Sequence, residues 1–353
     1  MSLFKQHITQ LAAYKPPLEG RDPARYTLLD FNERTIPVGP HIKQALIDYI
    51  NSDRLQMYPS YGGICASLAE YCLVAEDQVM ITNGSDHGIE LIIRALGGPG
   101  DEAIIPGPSF AIYSQVAQVE GLTIVAPNYR KNQGYPLQDV LAAVTDKTKL
   151  IIAANPNNPC GTPISNEQIA ALAEAAPNAG ILVDECYFEY SQMTAAPLLA
   201  RYPNVLITRT FSKTWGIPSL RFGYILSNAN NITALLAMRG PYDINQLAVV
   251  AAEAALKHPQ YTRDYVREIM SESKPTLEAF LQEHQIDYWP SAANYVLVFP
   301  ENADLVHQQL LEAGILVRPR QDSEGRKGLR VTVGTSEQTQ QLLTTLTEIY
   351  QNR

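Results

Sequence analysis

Residues 210–221 read TFSKTWGIPSLR and follow the apolar run Val205-Leu206-Ile207. The β-branched residues of that run predict a buried strand, so we predict that Thr210 begins the loop at its end. A lysine in such a loop suits nucleophilic chemistry on a carbonyl when its amine is deprotonated, which a nearby second cation favours. An arginine suits a bound phosphate, because its planar group holds two oxygens. An ordinary basic surface loop is the alternative for this stretch alone.

The composition of the chain excludes several classes of function. Of its 353 residues, 46% are hydrophobic and 18% are charged, which is typical of a soluble globular protein. The net charge of −9 disfavours a nucleic-acid partner. No apolar run approaches the roughly 20 residues of a membrane span, and the N-terminus lacks a signal-peptide core. The six scattered histidines predict no metal site, and cysteines without Cys-x-x-Cys spacing predict free thiols in a cytoplasmic protein.

Short apolar runs alternate with helical patterns between residues 78 and 226. Strands are predicted at 78–82, 102–106, 122–125, 150–154, 181–183, 205–208 and 222–226. Strands that alternate with helices in this way predict an α/β fold with a mainly parallel sheet. In such sheets, ligands bind beyond the carboxyl ends of the strands.

The chain is long enough for two domains, and its pattern changes near residue 230. We predict an N-terminal arm at 1–30, a large cofactor-binding domain at 31–230 and a small α+β domain at 231–353. In the last of these, a long helix is predicted at 265–284, followed by strands at 295–299 and 329–333.

Polar residues lie at the predicted strand ends. Ser85 and Asp86 lie in the turn Asn83-Gly84-Ser85-Asp86, where a helix begins, so backbone N–H groups there suit a phosphate. A plain helix cap is the alternative. Asp184 ends an apolar strand, where a carboxylate is costly unless it is paired. A helix cap is again the alternative. Tyr187 lies one turn further on, where it faces the same ligand or belongs to the core.

Three further side chains are candidates for ligand contacts. Asn158 lies in the turn Asn157-Asn158-Pro159-Cys160-Gly161, which is either a simple Pro/Gly turn or a donor to a ligand oxygen. Phe110 is either a core residue at a helix start or a stacking partner for an aromatic ring. Arg330 interrupts an apolar strand, and its burial requires an anion nearby.

Taken in order, these motifs resemble those of the fold-type-I, pyridoxal-phosphate-dependent aminotransferases, and most closely those of the histidinol-phosphate aminotransferase branch. The stretches that carry the resemblance are Asn32-Glu33, Tyr58-Pro59, Asn83-Gly84-Ser85-Asp86, Asn157-Asn158-Pro159-Cys160-Gly161, Asp184-Glu185-Cys186-Tyr187, Ser212-Lys213 with Arg221, and Leu329-Arg330-Val331-Thr332-Val333-Gly334-Thr335. The resemblance implies a three-layer large domain with a mainly parallel sheet, a smaller α+β C-terminal domain, and pyridoxal 5'-phosphate as the cofactor.

The resemblance also implies roles for individual residues. Lys213 bonds to the cofactor aldehyde and moves a proton, and Asp184 pairs with the pyridine nitrogen. The other contacts to the ring come from Tyr187, Asn158 and Phe110. Contacts to the phosphate come from Ser85, Asp86, Thr210, Ser212 and Arg221, together with Tyr58 of the neighbouring subunit in a homodimer. Arg330 binds a substrate carboxylate, whereas Arg318, joined by Tyr14, binds the distal anion.

The implied reaction moves an amino group from an amino acid or amino-alcohol phosphate to a 2-oxo acid such as 2-oxoglutarate. The sequence departs from the family pattern at a longer segment at 32–37, Cys160, Phe110, and Trp215 with the residues after it. Some of these departures touch the rim of the site, which leaves the physiological substrate open. Other amino acids, aromatic ones included, therefore remain alternative substrates. A related lyase that decarboxylates threonine phosphate is a second reading, and a non-catalytic binding module is a third. A nicotinamide dehydrogenase would need a Gly-x-Gly-x-x-Gly turn, which the sequence lacks.

Overall fold

The computed structural model describes residues 3–4, 6–13 and 15–351. The strands are β1 (Thr27–Leu28), β2 (Val79–Thr82), β3 (Glu102–Ile104), β4 (Thr123–Val125), β5 (Thr148–Ala154), β6 (Gly180–Asp184), β7 (Val205–Thr210), β8 (Gly223–Leu226), β9 (Asp287–Trp289), β10 (Tyr295–Phe299), β11 (Ile315–Leu316), β12 (Arg318–Gln321) and β13 (Lys327–Thr332). The helices are α1 (Gln6–Thr9), α2 (Pro40–Ile50), α3 (Ile64–Cys72), α4 (Gly84–Leu96), α5 (Ala111–Glu120), α6 (Leu137–Ala142), α7 (Asn166–Ala175), α8 (Phe188–Ser191), α9 (Ala229–Met238), α10 (Gln246–Lys257), α11 (Gln260–Glu268), α12 (Lys274–Glu283), α13 (Ala303–Glu312) and α14 (Ser336–Gln351).

A seven-stranded sheet forms the centre of the molecule, in the order β2-β8-β7-β6-β5-β3-β4. Only β8 runs against its neighbours, so the carboxyl ends of the other strands meet at one edge. This arrangement confirms the predicted α/β fold with its mainly parallel sheet.

Helices cover both faces of this sheet. Successive residues of β5 point to opposite faces, so Ile151 and Ala153 belong to one core whereas Leu150 and Ile152 belong to the other. Each fully buried Leu or Ile side chain contributes about 1.5–3 kcal/mol, which explains why the strands are almost entirely apolar. A capping box begins α7, with Ser165 and Gln168 exchanging hydrogen bonds.

A second, antiparallel sheet has the order β12-β13-β10-β9 and packs against α12, α13 and α14. It confirms the smaller α+β unit near the C-terminus. The predicted helix at 265–284 is present as α11 and α12 joined by a π-helical segment, Ile269–Ser273. The segment comes just before Pro275, which has no N–H for the helical ladder.

The N-terminal segment joins this C-terminal part of the chain. The short strand β1 pairs in parallel with β11, and the chain then passes from Leu29 to Arg34 over the carboxyl edge of the large sheet. Helix α10, beyond residue 231, packs on α2 and α3. The division into domains at residue 230 stays a prediction. No helix in residues 3–4, 6–13 and 15–351 combines the length and the apolar character that a membrane span requires.

Candidate active site

A cavity opens at the carboxyl edge of the large sheet. Its walls are formed by Ser85, Asp86, Phe110, Tyr113, Pro156, Asn158, Asp184, Cys186, Tyr187, Thr210, Ser212, Lys213 and Arg221. The structure therefore brings together every catalytic and cofactor-binding residue predicted from the sequence except Tyr58. They meet because the neighbouring strands β5, β6 and β7, and β2 on the far side of β8, all end at the same edge of the sheet.

Asp184 lies at the bottom of this cavity, at the end of β6, and is 4% exposed. Its carboxylate accepts hydrogen bonds from the Tyr113 hydroxyl at 2.5 Å, from the Thr208 hydroxyl at 3.2 Å and from the Cys186 amide at 3.2 Å. Burial raises the pKa of Asp184, while the three donors lower it. Asp184 does not cap a helix, since Tyr187 occupies the N-cap of α8.

The amine of Lys213 enters the cavity from the loop that follows β7. Its Nζ donates a hydrogen bond to the backbone carbonyl of Phe31 at 3.0 Å. Burial lowers the pKa of Lys213, and the positive charge of Arg330 lowers it further. A lysine in this environment gives up its proton more readily than one in water, which suits attack on a carbonyl.

Hydroxyl groups and a guanidinium line one end of the cavity. Thr210 and Ser212 share a hydrogen bond between their hydroxyls at 2.9 Å, and Arg221 Nη1 lies 3.5 Å from the Ser212 hydroxyl. Arg221 Nη2 contacts Asp86 at 3.0 Å. Helix α4 begins at the same end, and the structure records no hydrogen bond from its N-cap side chain, Asn83, to the helix. Ser85 and Asp86 therefore lie beside an uncapped helix start, an arrangement suited to an anion.

Two glycines allow these elements to approach closely. Gly84 has φ +79°, and a Cβ at this position would lie 2.5 Å from Arg221 Nη2. A Cβ on Gly223, in β8, would lie 2.5 Å from the backbone nitrogen of Ser85. Both contacts are shorter than real Cβ atoms show, so glycine is required for this end of the site to form.

The opposite wall of the cavity carries Tyr187, Asn158 and Phe110. The Tyr187 hydroxyl accepts a hydrogen bond from Asn32 Nδ2 at 3.0 Å, and burial raises its pKa. Asn158 accepts a hydrogen bond from Arg330 at 2.6 Å. Phe110 immediately precedes α5 and packs edge-on against Tyr113 with ring centroids 5.8 Å apart.

Two arginines lie beyond Asn158. Arg330 is 3% exposed, donates from Nη2 to the carbonyl of Asp30 at 2.6 Å, and leaves its buried Nε without a partner. Arg318 is directly opposite Arg330 in the β12–β13 register, and no acceptor for its guanidinium is recorded among the described residues. Burial and the charge of Arg318 lower the pKa of Arg330. Paired cations with spare donors form an anion site.

Tyr58 does not line the cavity walls. Tyr58 is 77% exposed and stacks on Tyr242 with ring centroids 4.4 Å apart. Tyr14 lies outside the described residues, so its predicted role stays a prediction.

Several residues of the site were not predicted from sequence. Tyr113 holds Asp184, and the carbonyl of Phe31 holds the lysine amine. Arg21 binds Asp30 and Glu33, and its guanidinium lies 4.4 Å from the centroid of the Phe31 ring. Arg21 lies in the Gly/Pro-rich arm, where the sequence pattern carried no signal for it.

Comparison with known proteins gives the family. The model of the family described as aminotransferase class I and II matches residues 26–346. The chain belongs to that family. It is 35% identical to histidinol-phosphate aminotransferase of Caldanaerobacter subterraneus subsp. tengcongensis over 93% of each chain, which confirms the predicted branch.

Solved structures confirm the family's fold in this chain. Histidinol-phosphate aminotransferase from Sinorhizobium meliloti, in complex with pyridoxal-5'-phosphate, superposes with a TM-score of 0.88 at 22% identity, covering 100% of this chain and 98% of that one. L-threonine-O-3-phosphate decarboxylase from Porphyromonas gingivalis superposes with a TM-score of 0.77 at 21% identity, covering 93% and 100%. The fold is therefore common to both reactions and does not separate them.

Proposed function

We propose that this chain is a pyridoxal-phosphate-dependent aminotransferase that uses Lys213 as its cofactor lysine and histidinol phosphate as an amino donor. The observation that carries the proposal is one cavity that joins the Lys213 amine, the buried Asp184 carboxylate and the donors around Arg221. Its chemistry fits the cofactor, because the carboxylate would pair with the ring nitrogen, the amine would bond to the aldehyde and the cationic helix start would hold the phosphate.

Each residue contributes a distinct function to this site. Ser85, Thr210, Ser212 and Arg221 hold the phosphate ester, and Asp184 holds a proton on the ring nitrogen. When bound, pyridoxal phosphate supplies an electron-accepting ring that makes the substrate Cα–H acidic. Lys213, whose pKa is lowered, would accept the proton from Cα and then donate it to the former aldehyde carbon of the cofactor.

Arg330 and Arg318 support an anionic substrate. Histidinol phosphate offers a phosphate ester, and the acceptor 2-oxoglutarate offers carboxylates, so the same two cations serve both half-reactions. The buried Nε of Arg330 is a donor that either anion satisfies. Asn158 keeps the guanidinium of Arg330 oriented toward the cavity.

A homodimer with shared active sites completes the proposal. Tyr58 is exposed next to Leu55, Met57 and Tyr242, an apolar group that a second copy would cover. In that dimer the Tyr58 hydroxyl reaches the phosphate in the partner's cavity. The free cysteines support a cytoplasmic location.

The proposal is tested by adding pyridoxal phosphate to the purified protein and screening amino donors with 2-oxoglutarate, starting with histidinol phosphate and aromatic amino acids. We expect a visible absorbance band and formation of a keto product, both lost in Lys213→Ala. Unchanged turnover in Lys213→Ala would contradict the assignment of the lysine. Release of CO₂ in place of a keto product would assign the chain to the lyase reaction.

A further inference from the structure

The loop that follows Lys213 is held by two buried residues of opposite charge. Glu189, on α8, is 7% exposed, and Arg34, in the N-terminal segment, is 8% exposed. Neither residue lines the cavity. Both contact the backbone or side chains of Thr214–Gly216, which come directly after the lysine.

The carboxylate of Glu189 binds the side chains of this loop. One carboxylate oxygen accepts from the Trp215 indole at 2.9 Å and from the Tyr71 hydroxyl at 3.2 Å. The other accepts from the Thr214 hydroxyl at 3.2 Å. Burial raises the pKa of Glu189, while the charge of Arg209 and the donors lower it. Trp215 also stacks on Phe211, with ring centroids 5.0 Å apart, so the indole is fixed on two sides.

The guanidinium of Arg34 binds the backbone of the same loop. Its Nη1 donates to the carbonyl of Thr214 at 3.0 Å. The guanidinium lies 4.5 Å from the ring centroid of Tyr261 and 4.2 Å from that of Tyr265, while Nε and Nη2 have no hydrogen-bond partner. Two aromatic rings thus compensate the charge of Arg34, and the structure records no salt bridge for it among the described residues.

Arg34 and Gly216 are matched in shape. Gly216 has φ +75°, and a Cβ at this position would lie 2.6 Å from Arg34 Cδ. Arg34 belongs to the lengthened segment at 32–37 and Gly216 to the unusual sequence after the lysine, so two departures from the family pattern contact each other. Phe31, the residue immediately before this segment, supplies the carbonyl that accepts a hydrogen bond from Lys213 Nζ. The N-terminal segment therefore contacts both the Lys213 amine, through the Phe31 carbonyl, and the carbonyl of the next residue, Thr214, through Arg34.

We infer that Arg34 and Glu189 are positioning residues that fix the Thr214–Gly216 loop and so aim the Lys213 amine. The inference rests on the proposed role of Lys213. Neither residue touches the cofactor or the substrate; both act through the loop. A displacement of about 1 Å at a reacting group is enough to lower a rate about 10²-fold.

The test compares disruptive with conservative variants. Glu189→Leu removes both acceptor oxygens and with them three hydrogen bonds, whereas Glu189→Gln keeps Oε1 for Trp215 and Tyr71 and can donate to the Thr214 hydroxyl. Arg34→Met keeps the aliphatic stem without a donor, whereas Arg34→Lys keeps a donor. Leu172 is buried on α7, in the core beside the large sheet, so Leu172→Ala is the control for a loss of stability alone.

Two measurements are made on each variant. The first is the pKa of the Lys213 amine in the cofactor-free protein. It is obtained from competitive acetylation over a pH series, with the acetylated lysine quantified by mass spectrometry. The second is kcat and KM for the donor found in the screen. We expect Glu189→Leu and Arg34→Met to raise the pKa of Lys213, because a loosened loop lets the amine reach water, and to lower kcat about 10²-fold with KM nearly unchanged. Glu189→Gln should restore most of the kcat, and Arg34→Lys part of it.

The inference is overturned if both disruptive variants leave the pKa and kcat unchanged, or change them no more than Leu172→Ala does at the same loss of thermal stability. Failure of the proposed function has a different signature. Borohydride reduction of the wild-type protein with pyridoxal phosphate would then leave Lys213 unlabelled, while the acetylation measurement, which needs no cofactor, still tests the loop.

Discussion

Tyr113 supplies the shortest of the hydrogen bonds that hold Asp184. It lies on α5, and its phenol crosses from the helix layer to the end of β6. A buried carboxylate that loses such a donor becomes harder to ionise, because the hydrogen bonds offset the cost of burial. The charge that faces the pyridine nitrogen in the proposed site therefore depends on a residue outside every recognised motif.

Tyr113→Phe tests this dependence. We expect the affinity for pyridoxal phosphate, measured by fluorescence titration, to fall about tenfold, the effect of losing about 1.4 kcal/mol. Tyr135→Phe is the matched control, since the Tyr135 hydroxyl is buried and donates to the Ile152 carbonyl at 3.2 Å. Equal losses in the two variants would show that Tyr113 has no specific role at the site.

Lys213 also lowers the free energy of unfolding of the cofactor-free protein. Its pKa is lower in the folded chain than the ordinary 10.5, so at neutral pH the unfolded chain holds the amine's proton more tightly. Lys213→Met should therefore raise the free energy of unfolding by about 0.5–2 kcal/mol at pH 7. The gain should shrink as the pH rises from the lowered pKa toward 10.5. Urea unfolding at pH 7 and at higher pH measures it, and a gain that grows with pH would contradict the argument.

At the scale of elements, the contact between α4 and the Arg221 loop shapes the end of the cavity that is proposed to hold the phosphate. Gly84→Ala would push a methyl group into the Arg221 guanidinium and should weaken the binding of pyridoxal phosphate at least about tenfold. Gly134→Ala is the control, because Gly134 also has a positive φ, +72°, but nothing within 4 Å of its missing Cβ. An equal effect of the two variants on affinity would mean that backbone strain alone is responsible.

How far the sequence predicts these elements depends on how local the signal is. The strand β10 was predicted with the bounds that the structure shows, because Tyr295–Phe299 is an unbroken apolar run. The strand β12 was missed, since Arg318–Gln321 reads RPRQ and is a strand only through its pairing with β13. In the site, Lys213, Asp184 and Ser85 were predictable from their positions at strand ends. Tyr113, Arg21 and Arg34 were not, because their contacts join distant parts of the chain.

At the scale of the whole molecule, the proposed dimer makes a prediction about mixed subunits. If Tyr58 acts in the partner's cavity, Tyr58→Ala and Lys213→Ala impair the same site from different chains. A hybrid of the two variants then contains one site with both changes and one site with neither. After unfolding and refolding an equal mixture, about a quarter of the sites should be intact, given random pairing in a symmetric dimer.

The transaminase activity of the refolded mixture measures this recovery. The control is each variant refolded alone, where we expect no activity for Lys213→Ala and a loss of about tenfold or more in cofactor affinity for Tyr58→Ala. Activity of the mixture no greater than the average of the two separate variants would contradict a shared site.

The carbonyls of Asp30 and Phe31, near the start of the chain, accept hydrogen bonds from Arg330 and Lys213. The N-terminal segment and the strand β13 thus meet at the proposed active site. During synthesis, a nascent chain stalled before β13 would lack Arg330, and only Arg318 of the two proposed anion-binding arginines would be present even with the large sheet complete. The residues proposed to hold the cofactor all lie at or before Arg221, whereas the proposed substrate-binding pair of arginines is complete only once β13, the last strand, has been made.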